Sequence, residues 1–285
     1  MKTIILSDIG NSTDTIIPYG LRLARALELE VDIIHVIDPR IHQGTYSSVS
    51  DSQSISPGNT LSHAEIIQHE KHRISRDMNK LLSGEASRLN YPLKLNRIVA
   101  ENSLEIELEH RINLEPNSLL VINGSSNQEM FENTAEIVRL TKKLGVPAIV
   151  VPPGEKFTTI KDVLMPLNLN RNNYTSIKKL KFLFDHFPMT INAVGVASKR
   201  DYTELELKAI AWRDVAKEYL LPGSKVRTNI LEGKDFINTI NNYFHRNNLD
   251  LLMMVNDTND SKLAVSNTIQ FLKTIKSPVL IYMPN

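Results

Sequence analysis

The stretch from Val146 to Leu169, VPAIVVPPGEKFTTIKDVLMPLNL, decides how the chain is organised. Its first part is a β-branched, apolar run that ends at Pro152, Pro153 and Gly154, which do not continue a strand. A charged segment follows and leads to a second apolar run, Val163 to Leu167. The pattern predicts the last strand of one folding unit, a linker and the first strand of another.

The patterns at both ends of this stretch recur elsewhere in the chain. The C-terminal SPVLIYMPN repeats the shape of VPAIVVPP, and the N-terminal TIILSDIGN repeats the shape of DVLMPLNLN. Asp8 is equivalent to Asn168 and Val36 to Val196, and the members of each pair are 160 positions apart. Glu101 is equivalent to Gly233 and Ser118 to Asp250, and these pairs are 132 positions apart. The difference of 28 between these offsets places one insertion between the second and third strands of the first half. The sequence therefore predicts an internal duplication.

Composition indicates a globular chain. Its 285 residues, 41% of them hydrophobic, suffice for two domains of about 130 to 150 residues. The net charge of +1 gives no sign of a nucleic-acid or membrane-surface partner. The absence of cysteine excludes disulfides and thiolate chemistry. Since no apolar run approaches about 18 residues, we expect no membrane span and a cytoplasmic location.

Strand-like and helix-like patterns alternate in both halves, which predicts an α/β fold. Each half is expected to form an open, doubly wound, five-stranded parallel sheet flanked by helices. The predicted organisation is a first domain at 1–153, a linker at 154–161 and a second domain at 162–285. The insertion at about 39–62, with its serine-rich part at 45–62, is predicted to be a flexible loop. Phosphorylation of serines between Ser47 and Ser56 is the regulatory alternative.

Several segments resemble the universal stress protein family. They are TIILSDIGNST, LEVDIIHVIDP, LEGKDFINTI, DLLMMV, VSNTIQFLKTIKSPVLIYMP and ENTAEIVRLTKKLGVPAIVVPP. The resemblance covers nearly the whole chain apart from 41–62 and occurs twice, as in a tandem member of the UspA family. It implies two Rossmann-like, adenine-nucleotide-hydrolase-like domains packed as a pseudo-dimer. The last strands of the two halves, Pro147 to Val151 and Pro278 to Met283, are expected to lie side by side. Whether two chains also associate into a homodimer is left open.

The resemblance also bears on nucleotide binding. In family members that bind adenine nucleotides, a run of glycines after the fourth strand brings backbone N–H groups close to phosphate oxygens. In the first half, Asn123 stands where this pattern has its first glycine, and Phe131-Glu132 stands where it has a later Gly-Ser pair. In the second half, the same positions hold Val255 and Val265-Ser266. Glu132 would place a carboxylate where phosphates bind. The sequence thus favours a degenerate site that binds no cofactor.

A vestigial nucleotide site is nevertheless conceivable. Its candidate residues are Asp8, Val36, Asn123, Gly124, Ser125 and Ser126 in the first half, and Asn168, Val196 and Ser266 in the second. The alternative hypothesis is therefore binding of ATP or AMP by the first half, with slow ATPase activity. Asp8 has a simpler interpretation as a turn and helix-cap residue, and Ser266 as a helix N-cap.

Other chemistry has little support in the sequence. His69 and His72, with Glu65 nearby, are interpreted as a solvated helix face rather than a metal site. His35 is interpreted as a satisfied core histidine. With no catalytic motif found, we expect no catalytic residues and no metal. The predicted function is a non-enzymatic stress-response or regulatory protein that binds an unknown protein or small-metabolite partner at the carboxyl ends of the strands.

Overall fold

The computed structural model describes residues 1–9, 16–37, 63–89, 93–101, 103–124, 131, 133–169, 174–220, 223–256 and 261–284. Its strands are β1 Lys2–Leu6, β2 Glu30–Val36, β3 Leu95–Ala100, β4 Ser118–Asn123, β5 Ala148–Val151, β6 Asp162–Pro166, β7 Thr190–Ala197, β8 Lys225–Glu232, β9 Leu251–Val255 and β10 Val279–Tyr282. Its helices are α1 Ile17–Ala26, α2 His63–Leu89, α3 Leu104–Leu114, α4 Thr134–Leu144, α5 Tyr174–Lys179, α6 Lys181–His186, α7 Tyr202–Val215, α8 Phe236–Arg246 and α9 Ser261–Thr274. A π-helical turn, Ala216–Leu220, continues α7. Within these ranges, no helix combines the length and the hydropathy needed to cross a membrane.

All ten of these strands belong to one sheet, in the order β3-β2-β1-β4-β5-β10-β9-β6-β7-β8. Neighbours are parallel within each half, whereas β5 and β10 are antiparallel, with Ile149 opposite Leu280 at the centre of their contact. The predicted α/β fold and the predicted contact between the two last strands are confirmed. The division into independent domains at 153 and 162 stays a prediction.

Helices cover both faces of the sheet, which is why the strands carry nearly continuous apolar runs. One face packs against α1, α2, α5, α6 and α7. The other packs against α3, α4, α8 and α9. All residues of the central strands β4 and β9 are buried. Both core clusters contain residues from the two halves, so each core crosses the seam between β5 and β10.

The helix boundaries follow local chemistry. The Asn133 side chain accepts hydrogen bonds from the backbone N–H groups of Ala135 and Glu136 and thereby caps the start of α4. Gly145 ends the same helix with a left-handed φ of 60°. The sequence predicts these boundaries, because Asn133 or Thr134 can start a helix and Gly145 can end it, and the structure agrees.

Three details of the prediction are wrong. The apolar pattern from Thr175 to Phe187 predicts a single helix, but that helix is interrupted at Leu180. The Leu180 N–H bonds to the Ile177 carbonyl three residues back, in a tighter turn. Helix α9 begins at Ser261, so Ser266 lies inside it and is not an N-cap.

The third wrong detail is the offset between the third strands. Val36 pairs with Ala100 and the equivalent Val196 pairs with Leu231, which is 131 positions later rather than 132. The predicted loop at 39–62 lies outside the described residues, as do Ser125, Ser126 and Glu132.

Candidate functional site

Two of the predicted site residues meet at the carboxyl edge of the sheet. Asp8 lies just after β1, and Asn123 is the last residue of β4. Since β1 and β4 are neighbouring parallel strands, their carboxyl ends lie side by side. Both side chains are buried, each with a relative exposure of 4%. The Asn123 amide donates a hydrogen bond of 2.5 Å to Asp8 Oδ2.

The Asp8 carboxylate also binds the start of α1. The backbone N–H of Ile16, the residue directly before this helix, lies 3.1 Å from Oδ1 and 3.2 Å from Oδ2. A carboxylate at a helix N-terminus satisfies a free donor and interacts favourably with the helix dipole. Asp8 therefore ties β1, β4 and α1 together, which supports its interpretation as a helix-cap residue.

Packing accounts for the neighbouring Gly124. Its N–H donates to the Val151 carbonyl oxygen at 2.7 Å and extends the β4–β5 pairing. A Cβ at this position would lie 3.1 Å from Val150 Cγ1 and 3.2 Å from the Val151 oxygen. The Gly124 amide is thus used within the sheet.

Phe131 holds a position where the nucleotide-binding pattern has glycine. Its side chain is only 4% exposed and belongs to the core on the α3/α4 face. This ring replaces the open backbone that a phosphate cradle requires.

The candidates in the second half are more dispersed. Asn168 is exposed just after β6, and Val196 is half-buried near the end of the neighbouring strand β7, in the same way as Val36 in β2. Ser266 is exposed on α9.

The predicted core histidine His35 is half-buried, and its Nδ1 lies 3.4 Å from Ser7 Oγ. Of the predicted solvated pair, His69 and His72 are both exposed on α2. His72 Nδ1 lies 2.7 Å from the Gln68 carbonyl oxygen of the same helix.

A cleft that the sequence did not predict lies between α1, α2 and the segment after β5. Its volume is about 700 Å³. The residues that line it are Ile16, Pro18, Tyr19, Arg22, Asp77, Lys80, Leu81, Gly84, Glu85, Arg88, Asn123, Pro152, Gly154, Glu155, Lys156 and Phe157. They come from four separate parts of the chain, so no local motif predicts the cleft. One of them, Asn123, is a predicted site residue, and it connects the cleft to Asp8 through its hydrogen bond.

An ion-pair network and an aromatic cluster build this cleft. The buried Glu85 accepts from Arg22 at 3.4 Å and from Arg88 at 2.9 Å. The rings of Tyr19 and Phe157 meet edge to face, with centroids 5.4 Å apart. Burial, and next the charge of Glu155, raise the pKa of the Tyr19 hydroxyl, which therefore stays neutral. Partial desolvation likewise raises the pKa of Glu155, although this residue keeps much of its surface exposed.

Comparison with solved structures shows the fold. A universal stress protein from Archaeoglobus fulgidus DSM 4304 matches 99% of this chain and 96% of its own, with a TM-score of 0.56 and 11% identity. A protein of unknown function from Pseudomonas aeruginosa PAO1 matches 100% and 93%, with a TM-score of 0.57 and 12% identity. The cytoplasmic domain of a prokaryotic cation chloride cotransporter matches 99% and 95%, with a TM-score of 0.50 and 11% identity.

The chain thus has the fold found in universal stress proteins. No protein-family model matches it, and no curated protein matches it by sequence. The same fold in a transporter domain shows that function must be argued from this chain's own residues.

Proposed function

We propose that this chain is a non-enzymatic regulatory protein of the universal stress protein type, which acts by binding a small ligand or a protein partner and does not bind ATP or AMP tightly. One observation carries the second part of this proposal. Both Asp8 carboxylate oxygens accept hydrogen bonds from within the protein, from Ile16 and Asn123. A nucleoside that used Asp8 as a ligand would have to compete with these buried bonds.

Adenine-nucleotide binding in the first half is the second candidate. Its support is the meeting of Asp8 and Asn123 at the carboxyl edge of β1 and β4, where open parallel sheets place their ligands. The second half offers the exposed Asn168 in place of Asp8. A nucleotide would therefore be expected in the first half alone.

Calorimetric titration with Mg-ATP and with AMP, up to millimolar concentrations, separates the two candidates. We expect the wild-type protein to show no saturable heat that depends on Asp8. Saturable binding that is lost in Asp8→Asn and kept in Asn168→Ala would overturn the proposal in favour of the second candidate. Asn168→Ala is the matched control because it changes the equivalent position of the second half. A parallel phosphate-release assay is expected to show no turnover above the buffer background.

A further inference from the structure

We infer that the cleft between α1, α2 and residues 152–157 binds a small organic anion with an aromatic body, of which carboxylates and phosphate esters are the two sources. The inference deepens the proposed function, since it rests on small-ligand binding and gives that binding a place and a class of ligand. The volume of the cleft, about 700 Å³, lies within the range of roughly 300 to 1,000 Å³ that is typical of small-molecule sites.

Aromatic and aliphatic side chains form one wall of the cleft. Tyr19 and Phe157 meet edge to face, and Phe157 continues to Phe187 with centroids 6.3 Å apart. Pro18 and Leu81, both half-buried, extend this wall on α1 and α2. Aromatic and aliphatic side chains in this arrangement favour a planar, apolar ligand body.

Basic side chains outnumber acidic ones around the cleft. Its lining has four basic side chains, of Arg22, Lys80, Arg88 and Lys156, and three acidic ones, of Asp77, Glu85 and Glu155. The single carboxylate of Glu85 is shared by two guanidinium groups, which leaves N–H donors of both arginines for other acceptors.

The four basic and three acidic side chains give the lining a surplus of one positive charge. Among the described residues, Lys80 and Lys156 form no ion pair, whereas Asp77 interacts with Arg73 and Arg76 outside the lining set. A cleft with a surplus of positive charge attracts an anion.

Gly84 lies inside α2 and lines the cleft. Its φ is not positive, and a Cβ at this position would meet nothing within 4 Å. The helix therefore borders open space here, and a longer side chain at this position would enter the space that the proposed ligand occupies.

The test uses 2-naphthoate and 1-naphthyl phosphate as probes, with 2-naphthamide as the neutral control, in calorimetric titrations of the full chain. We expect at least one anion to bind saturably and at least tenfold more tightly than the amide. The relative affinities of the two anions then distinguish the carboxylate from the phosphate source. Failure of both anions to bind, or equal binding of the amide, would overturn the inference.

Variants then locate the binding. Gly84→Leu fills the cleft from an open position on a helix and should weaken binding at least tenfold, while the smaller Gly84→Ala should change it less than threefold. Lys80→Ser should weaken binding several-fold, and Lys178→Ser, an exposed lysine on α5, should leave it unchanged. Unchanged affinity in both Gly84→Leu and Lys80→Ser would place the probe elsewhere and refute the site. Ile16 and Asn123 line the cleft and also bond to Asp8, so the variants decide between the two places. Binding that is lost in Gly84→Leu lies in the cleft, whereas nucleotide binding that is lost in Asp8→Asn and kept in Gly84→Leu lies at the edge of β1 and β4.

Discussion

Replacement of Asp8 by alanine gives the sharpest test of whether this residue is structural. Among the described residues, the substitution removes a buried acceptor from two donors, the Ile16 N–H and the Asn123 side-chain amide. Leaving a buried donor without a partner costs about 1 to 3 kcal/mol, so these two donors together predict a loss of roughly 2 to 6 kcal/mol in the free energy of unfolding. With about 2 to 4 °C per kcal/mol in chains of roughly this size, Tm should fall by at least about 4 °C.

Urea unfolding followed by circular dichroism measures this loss, and Asp8→Asn is the matched variant. Asparagine keeps one oxygen for the Ile16 N–H but loses the charge and one acceptor, so an intermediate loss of about 1 to 2 kcal/mol is expected. A ligand-binding carboxylate that the fold does not need would give the opposite pattern, because its removal leaves stability unchanged or raised. A change below about 0.5 kcal/mol for Asp8→Ala would therefore refute the helix-cap interpretation.

Three further substitutions test other parts of the structure, all by urea unfolding. Ile281→Asp buries a charge in β10, where Ile281 is fully buried opposite Ala148, and should lower the free energy of unfolding by more than about 3 kcal/mol. The control Ile106→Asp, at a 60% exposed position, should change it by no more than about 0.5 kcal/mol. Similar effects at both positions would contradict the burial of β10 beside β5. Gly84→Ala should stabilise the chain by about 0.5 to 1 kcal/mol, whereas Gly145→Ala should destabilise it by about 1 kcal/mol because φ is 60° there. For Glu155, a pKa raised in the folded protein means that ionisation weakens the fold as the pH rises through the carboxyl range. Glu155→Gln should therefore raise stability at pH 7 and have little effect below about pH 3, where the wild-type carboxyl is protonated in both the folded and the unfolded state. A variant that is less stable at pH 7 would contradict this reasoning.

The strands were predictable because their sequence pattern is local. Buried parallel strands are short apolar runs bounded by turn residues, and Val31 to Ile37 or Leu251 to Val255 need no tertiary information. The contact between β5 and β10 was predictable for a different reason. The predicted duplication gives two equivalent exposed strand edges in one chain, and pairing these edges leaves neither exposed.

The remaining features depend on tertiary contacts that one sequence does not reveal. The pairing of Asp8 with Asn123 joins residues 115 positions apart, and the interruption at Leu180 comes from a residue that is fully buried and helix-compatible by propensity. The start of α9 was misplaced because a serine such as Ser266 is a typical N-cap, whereas here it is an exposed residue inside the helix. The cleft is built from side chains of α1, α2 and the linker, which only the fold brings together.

The seam connects these observations. Antiparallel pairing of β5 with β10 places the carboxyl end of β5 beside the start of β10, so a short connection suffices to reach β6. Within that connection, Phe157 packs against Tyr19 of the first half and Phe187 of the second. Residues 152–157 therefore do more than connect β5 to β6, because they supply one wall of the cleft and Phe157 contacts both halves of the chain. The first half alone would lack this wall, so the proposed ligand site depends on the connection between the halves.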